Sequence, residues 1–146
     1  DSRYSEVEVV SHGGLRLLAL AVESAGEILE KTHDRTEVIG IDEAQFFDAG
    51  LPQVCEQLAS QGVRVIAAGL DMDFLGRPFG AMPQLMAMAE YVTKVHAICM
   101  RCGELATFSH RTSTSRELVV LGETDQYEPL CRTCFFAARA EMEPGT

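Results

Sequence analysis

Two periods of apolar and polar residues divide this chain. Val38 to Ile41, four apolar or small residues, run straight into Asp42 and Glu43, as a buried parallel strand does when it ends at a ligand-binding edge. Val63 to Leu70 repeats the pattern and ends at Asp71. Between them Leu51, Val54, Cys55 and Leu58 share one face of a helix that Gly62 ends. Strand, helix and strand at this spacing predict a right-handed βαβ unit, which brings Asp42, Glu43 and Asp71 to one sheet edge. In open α/β sheets ligands bind at that edge. Upstream, Leu17, Leu18, Leu20, Ala21, Ala25, Ile28 and Leu29 recur mostly at helical spacing, weakened by Ser24 and Gly26, and predict a helix within 21–31. Val7, Val9 and His12 read as an extended connection. Downstream, Pro83 opens a helix with Leu85, Met86, Met88, Ala89 and Val92 on its apolar side. A strand over Val95 to Ile98, a strand-like run over Leu118 to Leu121 and a helix over Phe135 to Met142 complete the pattern.

Composition narrows the class. The 146 residues, 47% hydrophobic and 23% charged, suit one globular domain or a domain with a small appendage. The formal net charge of −10 disfavours a nucleic acid polymer as partner, because phosphate backbones need clustered Lys and Arg. It does not disfavour a nucleotide, which a few local groups hold. There is no run of 18 apolar residues and no signal-peptide core at the start, so no membrane partner is expected. The chain opens on DSRYS without an initiator Met, and we read it as part of a longer protein.

The candidate chemistry lies in two places. Asp42 and Glu43 after an apolar run have the form of a Walker B segment, in which one carboxylate faces a metal and the other a substrate; a plain polar turn is the competing reading. The loop from Met72 to Pro83 carries Phe74, Arg77, Pro78, Phe79 and Gly80. Aromatics beside carboxylates suit the face of a base, while capping the core is the other use open to Phe74 and Phe79. The second place is the pattern Cys99-x2-Cys102, a 28-residue interval, then Cys131-x2-Cys134. Two such pairs without a secretory signal point to a metal, and four thiolates close a tetrahedral shell, which marks a structural zinc site. The interval should hold a β-hairpin or a long loop, pinned at both ends and positioned as a lid. His96 and His110 are not needed as ligands, a dithiol redox pair is the rival use, and Cys55 reads as a small core residue.

These motifs together resemble the zinc-containing type II thymidine kinases. DSRYS at Asp1 to Ser5, Ser11-His12, VIGIDEAQFF, GLDMDFLGRPFG at Gly69 to Gly80, AEYVTK at Ala89 to Lys94, the two cysteine pairs and Tyr127 before CRTC carry the likeness. The resemblance implies an α/β, P-loop-kinase-like (RecA-like) fold: a parallel sheet with helices on both faces over 1–94, and a small zinc-binding domain with a lasso loop over 95–146. It implies a cytoplasmic homotetramer that transfers the ATP γ-phosphate to the 5′-hydroxyl of thymidine, with dTTP as feedback inhibitor. By the same resemblance Glu43 is the general base and Asp42 holds Mg2+ through water. Asp1, Ser2 and Arg3, with Asp42, Glu43, Ala44 and Gln45, contact the nucleotide. Phe46, Leu70, Phe74 and Phe79 wall the thymidine pocket. Ser109, Leu118, Val119, Val120, Leu121, Gly122 and Tyr127 form the lasso over the base, and Cys99, Cys102, Cys131 and Cys134 hold zinc.

No G-x-x-x-x-G-K-[ST] occurs in the chain, and the family places that loop ahead of DSRYS. A strand, the phosphate loop and its helix are therefore expected before Asp1. Ser109, where the family often has threonine, and the polar stretch Thr112 to Arg116 depart from the pattern and bear on base selectivity. Two other readings remain: a helicase-like ATPase in which Glu43 polarises water, which the acidic charge fits poorly, and a non-enzymatic zinc-stabilised binding module.

Overall fold

The computed structural model describes residues 6–10, 13–14, 16–112 and 127–142. Its centre is the βαβ unit. Strand β3 (Val38–Ile41) runs parallel to β4 (Arg64–Ala67), Val38 opposite Arg64 and Ile41 opposite Ala67, with helix α2 (Leu51–Ser60) between them in sequence. Helix α2 starts with Pro52 in its first turn, where the missing N–H costs nothing, and ends before Gly62, whose φ of +86° turns the chain back. It buries Leu51, Val54, Cys55 and Leu58, the face that the spacing predicts. Removing Leu51 and Leu58 from water contributes roughly 1.5–3 kcal/mol each. Helix α1 (Ala25–Lys31) and helix α3 (Met82–Met88) join the same core through Ala25, Ile28, Met82 and Leu85, together with Ile39, Ile41 and Val65 from the strands.

Several expectations change. Helix α1 lies within 21–31, and Ser24, which weakened the helical pattern, is its N-cap: the Oγ accepts the Glu27 N–H at 3.4 Å. The apolar residues ahead of it are strand, not helix. β2 (Arg16–Leu20) pairs antiparallel with β1 (Glu6–Val10), so the expected extended connection is a hairpin arm. A run such as LRLLAL fits either period, and pairing with a neighbour decides it. Helix α3 stops at Met88, and Val92, expected on its apolar side, is half exposed beyond its end. The strand expected over Val95 to Ile98 shrinks to β5 (Ala97–Ile98). The strands were also expected to be buried on both faces under helices. Among the described residues the helices cover one face, and Val38 and Ile66 are 58% and 54% exposed on the other.

A second core gathers near the cysteines. β5 pairs antiparallel with β6 (Leu105–Ala106), and β7 (Phe108–Arg111) with β8 (Tyr127–Leu130), followed by helix α4 (Arg132–Met142). The two arms β7 and β8 fit the hairpin expected in the interval between the cysteine pairs, and α4 begins three residues before the predicted Phe135. Cys99, Ala106, Phe108, Leu130, Phe135 and Ala138 are buried together, with the Phe108 and Phe135 rings stacked at 4.4 Å. The loop between β4 and α3 docks on this core. At Gly76 (φ +74°) a Cβ would stand 3.0 Å from the Phe108 ring, so only glycine allows both the turn and the approach. Arg139 on α4 donates to the Leu75 carbonyl at 3.3 Å.

Candidate functional site

Strand β3 ends at Ile41, and its hydrogen bonding to the neighbouring chain persists past the strand: Ala68 donates to the Ile41 carbonyl at 2.8 Å and Ala44 to the Ala68 carbonyl at 2.9 Å. Asp42 and Glu43 thus sit in a bend beyond the strand, not in it, so a turn and not strand alternation orients the two carboxylates. Glu43 has φ 51° and ψ 42°, the left-handed region, and no other non-glycine among the described residues has positive φ. A residue held there costs of order 1–3 kcal/mol, and such strain concentrates at functional sites. The Asp42 carboxylate accepts the Glu43 N–H at 2.9 Å, which steadies the bend. Glu43 Oε2 accepts from the Gln45 amide at 2.6 Å, and Gln45 Oε1 accepts the Leu70 N–H at 3.0 Å. One side chain therefore joins the two strand ends.

The aromatic residues divide. Phe46, half exposed, meets Phe79 edge to face at 5.5 Å, and Leu70, also half exposed, follows β4 on the same edge. Phe79 itself is buried, so it caps the core as well as backing Phe46. Phe74 lies under the Arg111 guanidinium, 3.7 Å from the ring centre, and Arg111 also donates to the Tyr127 hydroxyl at 2.7 and 3.1 Å. Phe74 and Tyr127, far apart in sequence, thus meet through a buried arginine. Ser109 is on β7 opposite Pro129. Asp1, Ser2, Arg3, Leu118, Val119, Val120, Leu121 and Gly122 lie outside the described residues.

Three residues to which the sequence assigned no role shape this edge. Asp73 is buried and accepts the Leu75 and Arg77 N–H groups at 2.9 and 3.0 Å, folding the loop on itself. An aspartate three residues before a glycine is the legible signal for such a turn. Lys94 pairs with Asp71 at 2.7 Å. Arg111 had no signal, since nothing local marks an arginine for burial between two rings.

The four cysteine sulfurs lie within 4.8 Å of one another. Zn–S bonds of about 2.3 Å in a tetrahedron require sulfurs about 3.8 Å apart, and Cys102 and Cys131 stand at 3.6 Å, far beyond a disulfide bond. The donor set fits a closed metal shell, and neither His96 nor His110 belongs to it. His110 packs edge-on against Phe135 instead. Against the upward push of burial, N–H groups of Cys131, Arg101 and Cys102 bring the Cys99 thiol down to about 6, while the Cys134 thiol, donating to the Cys131 and Cys102 sulfurs, is pushed up to about 12. Crowded thiols lose successive protons with increasing difficulty, and a divalent cation removes that barrier. Cys55, buried in α2 and pushed up by desolvation, is the small core residue expected.

Comparison with known proteins agrees with this arrangement. The thymidine kinase family profile matches residues 1–135. A thymidine kinase of Bacteroides thetaiotaomicron is 58% identical over 141 residues, 97% of this chain and 70% of the relative. The Bacteroides fragilis thymidine kinase shows the same identity and coverage. That of a Rhodothermus species is 56% identical over 135 residues, 92% of this chain and 63% of the relative. With the family's profile matched over residues 1–135 of this chain and the DEAQ edge and four-cysteine cluster both formed, the chain belongs to the thymidine kinase family.

Proposed function

We propose that this protein is an ATP-dependent thymidine kinase that forms thymidine monophosphate, and that Glu43 is its general base. The observation that carries the reading is the strained, hydrogen-bonded Glu43 at the edge shared by β3 and β4, beside Phe46 and Leu70. Phosphoryl transfer rests on positioning and charge stabilisation, and a carboxylate at the attacking hydroxyl orients it and accepts its proton. Asp42 spends one oxygen on the Glu43 N–H, and its carboxylate is exposed, so it suits a hydrated magnesium, which prefers one or two carboxylates and several waters. Magnesium supplies charge neutralisation on the phosphates.

Phe46, Leu70, Phe74 and Phe79 serve as walls for the thymine ring, and Ser109 and Tyr127 hold the ends of a lasso, Leu118 to Gly122, over it. Asp1 to Arg3 and the Asp42 to Gln45 turn contact the nucleotide. The four cysteines hold a structural zinc ion. The finer architecture follows the same reading: a P-loop-kinase-like domain over 1–94 and a zinc-binding domain over 95–146, in a cytoplasmic homotetramer restrained by thymidine triphosphate. A mass of one chain by light scattering on the full-length protein would overturn the tetramer.

The test is thymidine phosphorylation by the full-length protein with ATP and magnesium, wild type against Glu43→Gln. Loss of a general base lowers kcat by about 10²–10⁴, and thymidine binding should persist. Wild-type protein that hydrolyses ATP and leaves thymidine untouched would put the ATPase reading ahead.

A further inference from the structure

We propose that Gln45 is the positioning residue for Glu43, a bridge that fixes the Glu43 carboxylate against the end of β4. The inference deepens the kinase reading and rests on it. Gln45 is 3% exposed, and both ends of its amide are engaged inside the protein. The Leu70 N–H, 3.0 Å away, is a donor only, so the atom facing it is Oε1, and Nε2 faces the Glu43 carboxylate at 2.6 Å. The direction of the bridge is therefore set by the main chain.

The surroundings are built around this side chain. A Cβ at Gly69 would fall 2.6 Å from Gln45 Oε1, and a Cβ at Gly80 would collide with the Gln45 carbonyl oxygen. The first and last glycines of GLDMDFLGRPFG thus open the slot that Gln45 fills. Phe46 donates to the Glu43 carbonyl at 3.0 Å, so the main chain of Glu43 is held from the same turn as its carboxylate. A left-handed glutamate with a free side chain would sample several rotamers, and the amide bond selects one. Because Leu70 and Glu43 share the bridge, the pocket wall and the base move together.

Gln45→Glu separates the bridge from its scaffold. It keeps an oxygen for the Leu70 N–H and the size of the side chain, and replaces the donor to Glu43 by a second acid. Two carboxylates at that distance repel each other, so the Glu43 side chain is no longer held in one rotamer. The full-length variant should lose about tenfold to a hundredfold in kcat at neutral pH, with the KM for thymidine within about threefold. Gln45→Met, which cannot donate, serves as the second variant if the first does not fold. It should lose kcat in the same way, because the N–H that held the Glu43 carboxylate in place is gone.

A folded variant with wild-type kcat overturns the inference. So does a loss confined to the KM for ATP, which would give the Gln45 side chain to the nucleotide and not to Glu43. Glu43→Gln in the same assay separates the two levels. If it loses the rate while Gln45→Glu does not, only the bridge falls. If it keeps the rate, the general-base reading falls and the bridge with it.

Discussion

At Glu43 and Gly80 the backbone itself carries the cost of the edge. Glu43 takes a conformation that glycine would adopt without strain, yet its carboxylate is the group the chemistry needs there. Gly80 (φ +50°) shows the converse, since its missing side chain is what the Gln45 carbonyl requires. Gly80→Ala should destabilise the protein by about 2–4 kcal/mol, combining left-handed strain with a backbone collision. Gly26→Ala in α1, where the nearest atom to a new Cβ is 3.9 Å away, should be neutral or stabilise by up to about 1 kcal/mol. Urea unfolding of both variants checks the contrast; equal effects would mean that the slot around Gln45 relaxes freely.

Asp48 organises the elements behind the edge. Its carboxylate accepts the Ala25 N–H at the start of α1 and the Gly50 N–H ahead of α2, both at 2.9 Å. The bond from Ala25 is the main reason its acidity is strengthened, with the bond from Gly50 next. A carboxyl whose folded value lies below its unfolded one, about 3.9, stabilises the fold above that pH and stops doing so as pH falls through the folded value. Asp48→Asn should therefore lower Tm at neutral pH and flatten the loss of Tm below about pH 4. Thermal melts from pH 7 to 3 decide it; parallel curves for wild type and variant would show that the bonds carry no charge-dependent stability. Asp48 lies in a loop, and no apolar period signals it. The βαβ unit, by contrast, was readable because strand and helix periods bury the same residues in any α/β neighbourhood. The β1–β2 hairpin was not readable, because LRLLAL has no partner until the chain folds.

For the whole molecule, the four-cysteine cluster and the loop from Asp71 to Gly80 form one mechanical unit. Gly76 lies on Phe108 and Phe135, Arg111 reaches Phe74 from β7, and Cys131 and Cys134 border the same core. A structural metal that closes the cysteine shell therefore also braces a wall of the proposed thymidine pocket. The full-length protein should contain about one zinc per chain, as a closed four-thiolate site takes one ion. Stripping it with a chelator should lower Tm and raise the KM for thymidine more than that for ATP. Protein with far less metal, or an equal change in both constants, would sever the cluster from the pocket.

The sequence by itself determined the parallel pair, the helix between its strands, the acidic edge and the four thiols of the cysteine cluster. Each of these depends on residue type at a short, regular spacing, which burial and coordination read directly. Only the tertiary structure decided that Glu43 is strained, that Gln45 spans two strand ends, that Asp73 ties its loop and that Arg111 sits between Phe74 and Tyr127. Those outcomes depend on contacts such as Gln45 with Leu70, 25 positions apart. A side chain that closes such a gap is chosen by the space and the unpaired N–H left when the strands come together, and neither exists until they do.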